Sequence, residues 1–398
     1  MGGYNFYPAK PISDYRRSDL GLIVSVILFW GIGMCTLYVC SSAYCDKVWG
    51  DPFLLIKRQM GASIFGFAGL LLFAFLPLAK IRKMLPFIIL VTVVLLLCTF
   101  VPAFSEERNG AKRWVKLPFM RFQPSELAKF AIILYLANFF DKYQRERDLE
   151  ERTVFPAVVV TMVFVVLVFG EKDFSTGMFL FLLALLLFFI SGSKLLWLFP
   201  MALIGIPALA MMIMWEPYRM ERIEGYLNPG QYSQGVNYQT NASIRAISTG
   251  GFWGQGIGSG LTKLNSIPEV QADYIFAGWV EAMGLFGVIL YFLLLGAFAY
   301  KAYRCAFNCP DRFGSIGIFG CASAIFFQSI ANLAVVCGAI PSTGIPLPFF
   351  SAGGSSIVVT LCMCGFMINA ARAESDSYDE VLENDSRNYE VVTRMEKI

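Results

Sequence analysis

Ten stretches of nearly unbroken apolar residues constrain this chain more than any other feature. They fall at 20–42, 60–79, 85–104, 124–141, 154–170, 174–191, 194–215, 275–300, 313–338 and 354–371. At about 1.5 Å rise per residue, a helical run of about twenty residues crosses about 30 Å of hydrocarbon. A large soluble core does not need so many runs of that length. Composition agrees, with 57% hydrophobic and 15% charged residues, where a soluble domain carries about 25% charged. The expected fold is an all-α polytopic integral membrane protein with about ten transmembrane helices, in contact with a lipid bilayer over most of its surface.

Ten spans put both termini on one side, and Lys and Arg are in excess on that side, for example Arg16, Arg17, Lys80, Arg82, Lys83, Lys142, Lys301 and Arg312. The positive-inside rule makes that side cytoplasmic. The first span exceeds the apolar region of a signal peptide, so it is expected to stay as an anchor. Residues 1–19 form a cytoplasmic leader, 20–372 the membrane domain, and 373–398 a mixed-charge tail expected to be disordered. One connection, 216–274, is much longer than the rest and lies on the outer side. It is rich in Gly and aromatics ("GGFWGQGIGSG") and is expected to fold back onto the membrane surface, with the glycines serving close backbone turns.

The net charge of +3 marks no electrostatic partner, and no nucleic-acid ligand is expected. There is no His, and the 10 Cys show no zinc spacing, so most of them read as small hydrophobes. Cys40 and Cys45 are near enough in sequence for a disulfide, the less favoured alternative.

Ionisable groups inside or beside the spans are therefore the candidates for chemistry. Lys129 lies one turn into the fourth span, and Glu126, three residues earlier, shares its helical face. The pair reads either as structural or as part of a ligand site. Arg113, Lys116 and Arg121 stand just before that span on the outer side, a cluster suited to a phosphate-bearing ligand or simply to a solvated loop. Asp173 in "EKDFSTG" suits the N-cap of the sixth span. Gln328 and Asn332, four apart in the ninth, can hydrogen-bond across helices. The Pro- and Gly-rich stretch "PSTGIPLPFFSAGGSS" (341–356) is irregular backbone near membrane depth, which suits the wall of a cleft. In "IPEVQADYIFAGWVEAMG" (267–284), Glu269 and Asp273 are four apart at the mouth of the eighth span. Without His, proton abstraction near neutral pH falls to a carboxylate or a perturbed Lys, and a partly desolvated Asp at an apolar helix start is suited to it. Capping, or an ion pair with Lys263, is the alternative. Glu281, two turns deeper, reads as a structural hydrogen-bonding group.

Four blocks, "NGAKRWVKLPFMRFQPSELAKF", "ASIRAISTGGFWGQGIGSG", "IPEVQADYIFAGWVEAMGLFG" and "IPSTGIPLPFFSAGGSS", spread in order over residues 109–356, resemble the signature blocks of the SEDS family (shape, elongation, division and sporulation), which includes FtsW, RodA and SpoVE. The Lys in "GLTKLNSIPE" looks more like the division branch, FtsW, than the elongation branch. The resemblance implies a ten-span fold with an outer active site. It implies a peptidoglycan glycosyltransferase that polymerises lipid II, an undecaprenyl-pyrophosphate-linked disaccharide peptide, at the septum of the bacterial cytoplasmic membrane. A class B penicillin-binding transpeptidase and other divisome membrane proteins would be its partners. The family's essential acid matches Asp273, and its Arg-Trp and Gln-Pro-Ser-Glu residues match Arg113, Trp114 and Gln123 to Glu126, with its important Lys at Lys129. Three positions depart from the pattern: Ala352 for Tyr, Ala282 for a second acid, and Lys172 for a Pro.

On this resemblance Asp273 is expected to act as general base in an inverting transfer. Arg113 and Lys129, with Lys263 and Arg245 as secondary candidates, would stabilise the pyrophosphate, and Glu126 and Glu269 would position substrate. A divalent cation could share that task, although no dedicated metal cage is visible. A lipid II flippase, an elongation-type polymerase and a scaffold for the transpeptidase are the competing expectations.

Overall fold

The computed structural model describes residues 19–108, 111–116, 121–145, 154–192, 217–228, 237–256 and 270–372, with Leu203 and Gly205. Within them the chain forms α1 (Leu20–Trp49), α2 (Leu54–Phe75), α3 (Leu78–Cys98), α4 (Pro124–Arg145), α5 (Phe155–Gly170) and α6 (Phe174–Ile190). It continues as α7 (Pro217–Leu227), α8 (Tyr238–Gly250), α9 (Ile275–Asn308), α10 (Arg312–Val336) and α11 (Gly354–Arg372). α1, α2, α3, α9, α10 and α11 are each long and apolar enough to cross a membrane, and α5 and α6 are shorter apolar helices. The chain is an all-α, multi-pass membrane protein. Nine expected spans coincide with described helices. The seventh, 194–215, apart from Leu203 and Gly205, lies outside the described residues, as do residues 1–18 and the tail 373–398.

Several boundaries differ from expectation, most of all around the second and third spans. Lys80, Arg82 and Lys83 do not form a loop; they lie in the first turns of α3. The break is at Leu76–Pro77, where Leu76 turns extended (ψ 122), because the ring of the following Pro disfavours the helical region for the residue before it. Arg82 is drawn into the bundle by two acids far away in sequence. It bonds Asp141 of α4, and Asp311, the N-cap of α10, at 2.5 Å. Likewise α1 runs on to Trp49, where Gly50 closes it in the left-handed region (φ 69).

The helices form an inner and an outer set. Most of α11 is inside the bundle (78% of its apolar stretch), while α3 lies at the rim (22%). On α3, Phe87, Leu90, Val94 and Leu97 are exposed at helical spacing. In a soluble protein such a stripe would face the core; here it faces lipid. α11 packs along α2, and Gly365 lets the two backbones meet, since a Cβ there would overlap the backbone of Leu70. Asn369 seals the end of that contact by donating to Phe73 O (2.7 Å) and Leu76 O.

At the end of the bundle away from the Arg82 cluster, β1 (Ser105–Arg108), β2 (Ala111–Lys116) and β3 (Arg121–Phe122) form an antiparallel sheet in that order. Its register pairs Glu106 with Trp114 and Val115 with Phe122. The long connection folds back over the same end. Tyr226 of α7 donates to Ala339 O (2.8 Å), and Ser243 of α8 to Val336 O (2.8 Å).

Candidate active site

Asp273 lies in a turn, 270–273, one residue outside the N-cap of α9, which is Tyr274. The expected helical face shared with Glu269 is therefore not formed through Asp273, and Glu269 and Lys263 are outside the described residues. Asp273 is half-buried. The turn is fixed by its backbone: Ala352 N–H donates to Gln271 O (2.8 Å), and Asn332 Nδ2 donates to Asp273 O (2.8 Å) and Ile345 O (2.9 Å). The carboxylate lies beside Gly344, whose left-handed backbone (φ +73) favours glycine; a Cβ there would stand in ordinary contact, 3.5 Å from Asp273 Oδ2. Arg222 of α7 donates to Ser342 O (2.6 Å) in the same loop. Tyr274, next in sequence, is buried, and burial raises its phenol above the ordinary range although Thr240 hydrogen-bonds it at 2.9 Å.

The loop between α10 and α11 is irregular backbone packed into protein. Phe349 takes φ 67 and stacks on Phe29 of α1 at 5.5 Å. Gln59 of α2 clasps the loop from below, bonding Ser351 O and Gly353 N at 3.3 Å each.

The half of α9 that follows Asp273 is a separate piece of helix. At Gly284 the backbone leaves the helical region (φ 63, ψ −157), which would strand polar groups at membrane depth. The stretch after α8 fills the gap. Gln255 and Gly256 N–H donate to Glu281 O and Ala282 O (2.8 and 3.1 Å), and Leu285 and Phe286 N–H donate to Gly251 O and Phe252 O (3.0 and 3.2 Å). Backbones approach this closely because Gly254 and Gly284 carry no Cβ; one at Gly254 would overlap Ala282 O. Glu281 is fully buried beside this clip, with Thr249 Oγ1 3.4 Å from its Oε1, in line with its structural reading.

Lys129 and Glu126 do pair. Lys129 Nζ donates to Glu126 Oε1 (2.9 Å) and to Gln328 Oε1 of α10 (2.7 Å), and lies 5.6 Å from the centre of the Phe179 ring. Lys129 is 2% exposed and Glu126 3%. Gln328 Nε2 then donates to Pro346 O (2.9 Å). Gln328 and Asn332, one turn apart on α10, thus hold Lys129, the 345–346 loop and the Asp273 turn in one arrangement. Hydrogen bonding across helices was the expectation for these amides; that they join the two charged centres was not readable from spacing.

Arg113 belongs to a third group, carried by the sheet. Its Nη2 donates to Lys172 O (2.7 Å), and its Nη1 lies 3.8 Å from Asp173 Oδ1. Asp173 caps α6 as expected, accepting from Thr176 N–H (3.4 Å), and also accepts from Gln123 Nε2 (2.9 Å) and Ser125 Oγ (3.3 Å). Gln123 N–H donates to Ser355 Oγ of α11 (2.8 Å). The departure at Lys172 has a structural consequence: its φ of 63 is closed to proline, whose ring fixes φ near about −65°. Beside it, Glu171 was not singled out by sequence, yet it is 1% exposed, with burial pushing its carboxyl up to about 9. Arg245 is exposed on α8. No group of three or more potential metal ligands occurs among the described residues, and no disulfide joins the cysteines, Cys40 and Cys45 included.

Comparison with known proteins bears on the family and the fold. Residues 20–376 match the FtsW/RodA/SpoVE family, described as "Cell cycle protein". A "Probable peptidoglycan glycosyltransferase FtsW" from Geobacter sp. (strain M18) is 32% identical over 353 residues, covering 89% of this chain and 96% of that protein. "Stage V sporulation protein E" of Bacillus subtilis (strain 168) is 30% identical over 354 residues, covering 89% of this chain and 97% of that protein. A chain from the solved structure "Structural coordination of polymerization and crosslinking by a peptidoglycan synthase complex" superimposes with TM-score 0.70 at 26% identity, covering 90% of this chain and 99% of its own. With the family match spanning nearly the whole membrane domain, the chain belongs to the FtsW/RodA/SpoVE family, the SEDS proteins.

Proposed function

We propose that this protein is a peptidoglycan glycosyltransferase that polymerises lipid II for septal wall synthesis, with Asp273 as the general base. The observation that carries the reading is the Asp273 turn: a half-buried carboxylate at the bundle end, with its backbone clamped by Asn332 and Gly344 beside it. In the reaction, the carboxylate takes the proton of the acceptor GlcNAc 4-hydroxyl. That oxygen bonds the anomeric carbon of the growing chain as the bond from that carbon to pyrophosphate breaks, releasing undecaprenyl pyrophosphate with inversion. A pyrophosphate leaving group needs no protonated acid, so one carboxylate serves where most glycosidases need two.

Arg113, whose side chain is 31% exposed, is the first candidate to meet the departing pyrophosphate. Lys129 and Glu126 form the inner floor of the site, and Lys129 contributes positive charge to the leaving group when Gln328 releases it. Lys263, Arg245 and Glu269 serve as further substrate contacts, and a divalent cation carried by the pyrophosphate itself would need no protein cage. The termini lie on the cytoplasmic side. Lys80, Arg82 and Lys83 in the first turns of α3, at the end opposite Asp273, support an outward-facing site. A class B penicillin-binding transpeptidase is the proposed partner, supported by the likeness to a chain of a peptidoglycan synthase complex.

The test is purified protein, with and without a cognate transpeptidase, incubated with lipid II and analysed for glycan strands. Strands made only when the membrane protein is present support the enzyme. Lipid II movement without strands would favour a flippase, and strands traceable to the transpeptidase preparation alone would favour a scaffold.

A further inference from the structure

The turn between α5 and α6 holds two acids, Glu171 and Asp173, with opposite surroundings. Asp173 is met by donors on every side: Arg113, Gln123, Ser125 and the Thr176 N–H. Glu171 meets almost none. Its Oε2 is buried without a hydrogen-bond partner, a position in which an ionised oxygen would be left unsolvated. Its Oε1 lies 2.9 Å from Thr99 Oγ1, which itself lies 2.6 Å from Leu96 O. A hydroxyl has one proton. The Leu96 carbonyl can only accept, and it has the shorter contact, so the Thr99 proton goes there. The contact between Thr99 and Glu171 is then satisfied by a proton on Glu171.

Deepening the phosphate-binding reading of Arg113, on which this rests, we propose that Glu171 is a protonated, neutral carboxylic acid in the folded protein and acts as a positioning residue. By staying neutral it keeps the Arg113–Asp173 pair from gaining a second negative charge, so the site admits an anionic phosphate at neutral pH and rejects it once Glu171 ionises. The groups facing Glu171 fit this balance. β2 contributes the Arg113 cation; the turn contributes Asp173 and the exposed Lys172; α3 contributes uncharged Thr99; and Gln123 and Ser125, which reach Asp173 from the start of α4, are uncharged. Burial holds the Glu171 proton up to about 9, with the nearby Asp173 charge adding to it and Thr99 and Arg113 opposing.

The sign of the linkage is fixed. The folded chain keeps a proton that the unfolded chain releases above about 4.5, so this group's contribution to stability falls as pH rises from about 4.5 and stops falling above about 9. Glu171→Gln copies the neutral acid and removes the dependence.

The experiment uses the full chain in lipid nanodiscs. Infrared difference spectra of wild type and Glu171→Gln at neutral pH should show a carboxylic-acid C=O band present only in wild type. Undecaprenyl pyrophosphate, as the probe, should bind wild type roughly tenfold more weakly above pH 9 than at neutrality, the scale expected for one added charge at several ångströms in a partly screened site. Glu171→Gln should bind it without that decline. Absence of the acid band overturns the proposal whatever reaction the protein performs. A decline that Glu171→Gln shares with wild type, while Arg113→Gln still weakens binding, overturns the proposal and leaves the phosphate reading standing. Binding indifferent to Arg113→Gln would overturn both.

Discussion

Lys129 and Asp273 hang from the same helix by amides one turn apart, yet they relate to solvent in opposite ways. Gln328 holds Lys129 by its side chain, inside the bundle, where the residue is 2% exposed and paired with Glu126. Asn332 holds Asp273 by its backbone carbonyl and leaves the half-buried carboxylate to face Gly344. A charge sealed with its counter-ion stabilises an arrangement, because removing either partner strands the other. A clamp on the backbone fixes where a carboxylate stands without itself taking up the carboxylate oxygens. On the proposed reading, the difference separates a charge that also holds the site together, Lys129, from one whose part is the proton transfer, Asp273.

That separation predicts an asymmetric response to substitution. Lys129→Met should destabilise the protein by about 3–5 kcal/mol, since it leaves Glu126 buried without a counter-charge. Denaturant unfolding in mild detergent would measure it, and the Glu126→Leu/Lys129→Met double variant should recover most of the loss. Asp273→Asn should change stability by about 1 kcal/mol or less. A loss at Asp273 as large as that at Lys129 would erase the distinction.

The link between the two regions can be cut at Asn332. Asn332→Leu removes the donor shared by Asp273 O and Ile345 O, and leaving buried carbonyls unmet costs about 1–3 kcal/mol. Polymerisation should fall more steeply than stability, because the carboxylate loses its fixed position; equal loss at saturating and limiting lipid II is the expected kinetic signature. Arg245→Ala, on the exposed face of α8, should have the smallest effect, about 0.5 kcal/mol on stability. Any part it plays in substrate binding should appear as a raised KM.

The contrast also explains what could be read from sequence. Apolar length announced the spans because burying twenty residues in lipid needs a nearly unbroken run. The Lys80–Lys83 cluster misplaced two boundaries, because nothing local says that Arg82 will be neutralised by Asp141 and Asp311. Asp173 was legible as a cap since capping is a local rule. The bond from Lys129 to Gln328 spans 199 positions and follows from packing alone. The break at Gly284 was hidden inside an apolar run, whose hydrophobicity does not report one φ angle; the glycines of "GGFWGQG" were its only sign. The small sheet at 105–122 lies in strands too short and charged to show alternation. Asp273 stood out as an acid at a span's mouth, but its role came from the family motif.

The central claim is that the carboxylate of Asp273 moves a proton and does little else. The most direct measurement is single-turnover polymerisation of lipid II by Asp273→Asn, with lipid II binding and thermal unfolding recorded on the same preparation. Asn is nearly isosteric, so folding and binding should match wild type while the rate falls by about 10²–10⁴-fold, the usual contribution of a general base. Near-normal polymerisation by well-folded Asp273→Asn protein would contradict the account.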